Sequence, residues 1–377
     1  MTGSARRPRA FLLYRESALR RDALRQPPGT AQRYSLYGLD ELAAGGLDVH
    51  HNLEAGDAPV QSKVAGSVLD RAVQAAGGYS GDFRSVLASR HLANAADVVF
   101  STVDTVGIPL VLLARARLVR TPIVYAAIGL PERIEQLAPR VVRLYADAYR
   151  RPRAIVAYGW GEVDALRAWL GENVPPVHFV AFGVDTDAFR PVPAAVPDSD
   201  VVSIGADLRR DYALLLSLAE RRPEWTFRIV ASRDHVRVLS SAPPNVTVEF
   251  DLPFALTHAR LAAGRVVVLP VQENSYSGAT TVLLQAMASA KPVVVTRTAA
   301  VARGYHLEDG LNCRLVPPAA PAALEHAISD LLGDPERAIA VGARARETVV
   351  RHLSWHRYTD TIRELLLSAC GPITVRA

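Results

Sequence analysis

Ten short apolar runs, nearly unbroken in Val, Ile, Leu, Ala and Phe, set the terms for how this chain can fold. Ala10–Tyr14, Asp97–Val103, Pro122–Ile128, Ala154–Tyr158 and His178–Phe182 make one series. Val201–Gly205, Thr226–Ala231, Val246–Phe250, Val266–Pro270 and Pro292–Thr296 make a second. Runs of strand length that do not alternate with polar residues read as strands buried on both faces. Between them lie segments of helical pattern, among them Leu36–Ala44, Tyr212–Glu220, Thr280–Ala290 and Ala322–Leu332. Strand and helix in alternation predict an α/β protein with parallel, doubly wound sheets. Ten strands are many for one sheet, and 377 residues suit two domains. The proline-rich stretch Phe189–Asp200 is the natural linker, so the predicted domains are 1–190 and 191–353, followed by a closing helix at 354–377.

Composition removes several function classes. With 49% apolar and 21% charged residues the chain is not a disordered one. No apolar stretch reaches the ~18 residues a membrane-spanning helix needs. The first apolar run, Ala10–Tyr14, is too short for the core of a secretion signal, which makes a cytoplasmic location the expectation. Two cysteines, Cys313 and Cys370, support neither a disulfide scaffold nor a thiolate zinc site. No metal site is expected. Apart from Lys63 and Lys291, every basic residue is arginine, whose planar fork suits phosphate and carboxylate. The net charge of +5 is mild, and no zinc-finger spacing, stacking aromatics or basic tail points to nucleic acid. A basic segment beginning at Pro139 carries Arg140, Arg143, Arg150 and Arg151. It reads either as a solvated helix face or as a peripheral contact with an anionic membrane surface at the inner face. His178, His235 and His352 have no ligand spacing.

The most informative segment is Pro270–Thr296. A buried strand ends at Pro270, a small-residue loop follows, and a helix begins near Ala279 with Ser277 placed to cap it. Free amides at Ala279, Thr280 and Thr281, with the positive end of the helix dipole, make a phosphate site. An ordinary strand–loop–helix has the same pattern. After the strand Val201–Gly205 come Arg209 and Arg210, either solvated, paired with Asp207 and Asp211, or set to bind an anion, with Gly205 allowing close approach.

These residues resemble the donor-binding signature of the GT-B glycosyltransferases, in particular the retaining family 4. Ala286-Met-Ala-Ser-Ala-Lys-Pro-Val-Val294 matches its core. Phe182–Val192, Ser203–Tyr212, Asp309–Val316 and Leu353–Tyr358 are similar to its domain exit, phosphate loop, closing strand and cross-over helix. The resemblance implies two Rossmann-like domains facing a cleft, and a sugar moved with retention from a nucleotide-diphosphate donor to an acceptor that the sequence does not identify. It implies no metal and no cofactor. It gives the catalytic, diphosphate-binding role to Arg210 and Arg209. Donor binding falls to Gly29, Gly205, Glu273, Ser277, Gly278, Ala279, Thr280, Thr281 and Gln285, and the acceptor side to Gly129, Glu132 and Arg133. The chain departs from the family where it matters. The two signature glutamates fall on Ser277 and Gln285, and no histidine follows Pro122–Ile128. Gln285 keeps an amide that can bind ribose, while Glu273 is the carboxylate nearest to replace the one lost at Ser277. Two alternatives stay open: a non-catalytic nucleotide-binding partner and a nucleotide-sugar epimerase.

Overall fold

The computed structural model describes residues 6–54, 60–171, 175–192, 197–276 and 278–371. They form two compact units, one running to Val180 and resuming at Tyr358, the other spanning Ala181–Arg357. The division falls ten residues before the predicted boundary at 190/191, and 193–196 of the predicted linker lie outside the described residues.

The first unit runs β1 (Arg9–Leu13), α1 (Ala18–Arg25), α2 (Leu39–Ala44), β2 (Asp48–His51), α3 (Val60–Ala75), α4 (Phe83–Ala95), β3 (Val98–Ser101), α5 (Asp104–Arg115), β4 (Ile123–Ala127), α6 (Leu130–Ile134), α7 (Pro139–Ala148), β5 (Ala154–Ala157), α8 (Trp160–Leu170) and β6 (Val177–Phe179). Its six strands are parallel in the order β2-β1-β3-β4-β5-β6. Val98, Val99, Phe100, Val124, Tyr125, Ile155 and Val156 are fully buried, as continuous apolar runs covered on both faces require.

The second unit runs β7 (Ser199–Gly205), α9 (Tyr212–Arg221), β8 (Phe227–Ala231), α10 (Val236–Leu239), β9 (Val246–Phe250), α11 (Phe254–Ala263), β10 (Gly264–Leu269), α12 (Thr280–Ala288), β11 (Val293–Thr296), β12 (Arg314–Val316), α13 (Pro321–Gly333) and α14 (Pro335–His352). Its parallel order is β12-β11-β10-β7-β8-β9. The chain builds outward from β7 in one direction, then returns to β10 and builds in the other. Ligands in such sheets bind beyond the carboxyl ends of the strands where the order reverses, here β7 and β10. The last helix, α15 (Trp355–Cys370), belongs to the first unit from Tyr358 onward, where the Tyr358 hydroxyl lies 3.2 Å from that of Tyr158.

Each of the ten predicted runs overlaps a strand. The predicted helix Leu36–Ala44 is instead a 3₁₀ turn at Ala31–Leu36 followed by α2, because Tyr37 and Gly38 both adopt left-handed backbone and break it. Among the described residues, no helix is long and apolar enough to cross a membrane.

Candidate active site

At the switch point the loop after β7 and the loop after β10 are stitched together by their backbones. Arg210 and Val271 form an antiparallel bridge; Gln272 N–H donates to the Arg209 carbonyl at 2.8 Å and Asp211 N–H to that of Pro270 at 2.9 Å. Side chains add to the seam. The Tyr276 hydroxyl donates to both Asp207 carboxylate oxygens, at 3.0 and 3.1 Å, and Arg209 N–H donates to Asp207 Oδ1 at 2.8 Å. Gly278 lies against the same carboxylate, which a Cβ on it would crowd at 3.1 Å. The Asp211 carboxylate caps α9 through Leu214 N–H. The two acidic residues are thus committed to loop structure, and neither forms an ion pair with Arg210 among the described residues.

Arg210 is therefore a buried cation with no ion pair among the described residues, although the Asp207 charge still favours its protonated form. Its side chain is 4% exposed. Nη2 donates to the Ile204 carbonyl at 2.6 Å, whereas Nε and Nη1 have no partner among the described residues. Gly205 makes this placement feasible, since the guanidinium lies where the side chain of any other residue would begin. Burial pushes the Arg210 pKa down, but a guanidinium keeps its proton in proteins, so the charge persists and the cost falls on the apo fold. An anion placed against Nε and Nη1 removes that cost.

The start of α12 supplies neutral donors beside it. The N-cap residue is Ala279, with no side-chain cap of its own, and Ser277, expected to cap this helix, lies outside the described residues. The first amides, Thr280 and Thr281 among them, have no side-chain cap from the described residues. Thr280 is 1% exposed and its Oγ1 also has no partner among the described residues. Glu273 is exposed, and its Oε1 accepts from Asn274 N–H at 3.1 Å and Ala299 N–H at 2.8 Å, so it braces the loop after β11. Gln285 is half-buried on α12 with no side-chain hydrogen bond to the described residues.

In the first unit, Gly29 sits at a Pro-Pro-Gly turn with φ of +81° and open space around it; the backbone explains the glycine. Gly129, also at φ +81°, caps α6, on which Glu132 and Arg133 are half-buried. Two acidic residues that sequence reasoning missed organise this segment from beneath. Glu162 is fully buried and its Oε1 accepts from Gly129 N–H at 2.7 Å and Leu130 N–H at 3.3 Å. Asp104 accepts from the Tyr125 hydroxyl at 2.6 Å and Ile128 N–H at 3.1 Å, with Arg133 Nε 4.0 Å away and its guanidinium over the Tyr79 ring. Burial raises the Asp104 pKa to about 6 against the pull of Tyr125 and Arg133, and raises Glu162 well above the carboxylate range. The signal for Asp104 was present: one acid opening the apolar helix α5.

Residues 211–334 match the family model described as glycosyl transferases group 1, so that domain lies within the second unit. Alpha-maltose-1-phosphate synthase of Mycolicibacterium smegmatis is 24% identical over 56% of this chain, and the match spans 62% of that relative. Among solved structures, sucrose-phosphate synthase from Thermosynechococcus elongatus superposes with a TM-score of 0.73 at 16% identity, covering 96% of this chain and 99% of that one. Anabaena HepE in complex with UDP-glucose superposes with a TM-score of 0.71 at 15% identity, covering 96% and 99%. Two six-stranded parallel sheets with these structural neighbours make this an α/β protein of GT-B fold.

Proposed function

We propose that this protein is a retaining, metal-independent glycosyltransferase of the family 4 type, using a nucleotide-diphosphate sugar as donor. The observation that carries the reading is the buried guanidinium of Arg210 at the sheet's switch point, whose Nε and Nη1 have no partner among the described residues, on the loop stitched to the one that leads into α12. In sugar transfer the bond from the anomeric carbon to the diphosphate oxygen breaks, and negative charge grows on the leaving group. A fixed cation and backbone amides in a dry site stabilise that charge selectively in the transition state. The acceptor hydroxyl bonds to the anomeric carbon, and its proton passes to the departing phosphate. The group 1 domain match and a fold shared with HepE, whose structure is a complex with UDP-glucose, support the donor class.

Gln285, with no side-chain hydrogen bond among the described residues, is assigned in this reading to the ribose hydroxyls. Its amide accepts less strongly than the family's carboxylate, which favours weaker nucleotide binding over none. The second reading, a nucleotide-binding partner without catalysis, rests on that departure and on Ser277. Incubation with UDP-, GDP-, ADP- and dTDP-sugars in chelator, with mass spectrometry for released nucleoside diphosphate, separates the two. Turnover of one donor supports the enzyme, whereas binding without turnover supports the partner. Neither binding nor turnover defeats both.

A further inference from the structure

The arginines after α7 do not form a helix face. Arg150 and Arg151 lie past the end of α7 and, with Arg117, Arg120 and Arg153, line a cleft of about 540 Å³ at the amino ends of β4 and β5. No carboxylate lines it. Among the described residues none of the five exposed side chains has an ion pair or hydrogen-bond partner; the nearby Asp147 is bonded by Arg115 at 2.6 Å, and its charge also acts on Arg151 and Arg150.

Their backbones are fixed. Arg153 N–H extends the sheet by donating to the Ile123 carbonyl at 2.8 Å, Arg151 N–H bonds Ala148, and Arg120 N–H bonds Asn94 Oδ1 at 2.9 Å. Arg117 adopts left-handed backbone (φ +61°) just past α5, where glycine is the usual residue. Strain accepted at a lining position is an outlier that asks for a reason. The carboxyl ends of α5 and α7 offer these cations roughly half a negative charge each, about one against five. The concavity is left strongly positive, and it sits at the opposite strand ends from Asp104 and Glu162.

We propose that this cleft is a second anion site, binding a phosphomonoester or diphosphate group independently of the sugar-transfer site. The same chemistry is offered by a soluble phosphorylated compound and by an anionic lipid headgroup. The test is calorimetric titration with sodium pyrophosphate, together with co-sedimentation on phosphatidylcholine vesicles containing phosphatidylglycerol. It compares the wild type with R120A/R150A/R151A and with R140A/R143A, whose arginines lie outside the cleft. Each is also measured with Arg210→Ala, so that pyrophosphate held at the start of α12 is counted separately. The expected result is at least about tenfold weaker binding of one probe in the cleft variant, the equivalent of one charge-assisted contact, at an unchanged melting temperature. The R140A/R143A variant should change by less than about twofold on the same scale. Loss confined to pyrophosphate assigns a soluble ligand, and loss confined to vesicles assigns a headgroup. Equal loss in both variants, or a wild type that binds neither probe once Arg210 is removed, overturns the proposal.

Discussion

Gly205→Ala isolates the anion site from the stability of the fold. A Cβ on Gly205 would overlap Arg210 Nε and lie 2.5 Å from Nη2 and 2.6 Å from Cζ, so the guanidinium must leave its bed against the Ile204 carbonyl. The backbone of Gly205 pairs with Ala231 and does not occupy the left-handed region, so alanine fits the strand. Alanine also restricts the unfolded chain, worth about 0.4–1 kcal/mol, and moving a buried cation toward water relieves strain in the apo protein. Stability should hence stay within about 1 kcal/mol of wild type. Binding should not. Losing charge-assisted contacts costs about 1.5–3 kcal/mol, or roughly ten- to a hundredfold in diphosphate affinity. Calorimetry with pyrophosphate and nucleoside diphosphates, alongside thermal unfolding, reads both quantities. Unchanged affinity with the alanine in place would refute the claim that Arg210 faces the diphosphate.

Arg210→Met should weaken nucleoside diphosphate binding by about tenfold or more while raising the melting temperature of the apo protein, because a buried charge with no ion pair is replaced by an apolar chain; a lower melting temperature would mean that Arg210 is structural. Gln285→Glu should tighten nucleotide binding by about 1 kcal/mol, roughly fivefold, at constant fold stability; destabilisation without tighter binding would place Gln285 away from the ribose. Asp104 has a folded-state pKa of about 6 against an ordinary 3.8, so its contribution to stability is full below about pH 4 and is lost as pH rises through 6. Denaturant titrations of wild type and Asp104→Asn should diverge across that window by up to about 3 kcal/mol, and a pH-independent difference would contradict the burial argument.

The sheets were legible because strands covered on both faces must be apolar throughout, and all ten such runs became strands. The strand β2 escaped because it lies at a sheet edge: Asp48, His50 and His51 need no burial, and only Val49 is apolar. Arg210 could be named from the register of the family resemblance. Its burial could not, because that depends on Gly205 and on backbone bonds to Val271, some sixty residues away. The acidic pair in the first unit was hidden for a related reason. A lone Asp at a helix start reads as a dipole partner until Tyr125 and Ile128 are seen to bond it. The arginines at 150 and 151 read as a helix face because sequence does not show where α7 stops or that Arg117 and Arg120 meet them.

The central claim is that a nucleoside diphosphate binds at Arg210 and the start of α12 without a metal. Isothermal titration of the full chain with UDP, GDP, ADP and dTDP in excess chelator, for wild type and Arg210→Ala, tests it most directly. At least one of them should bind with micromolar to sub-millimolar affinity, roughly −4 to −8 kcal/mol, and about tenfold or more weaker in the variant. Binding by none, binding that appears only when divalent metal is restored, or equal affinity in the variant would contradict it.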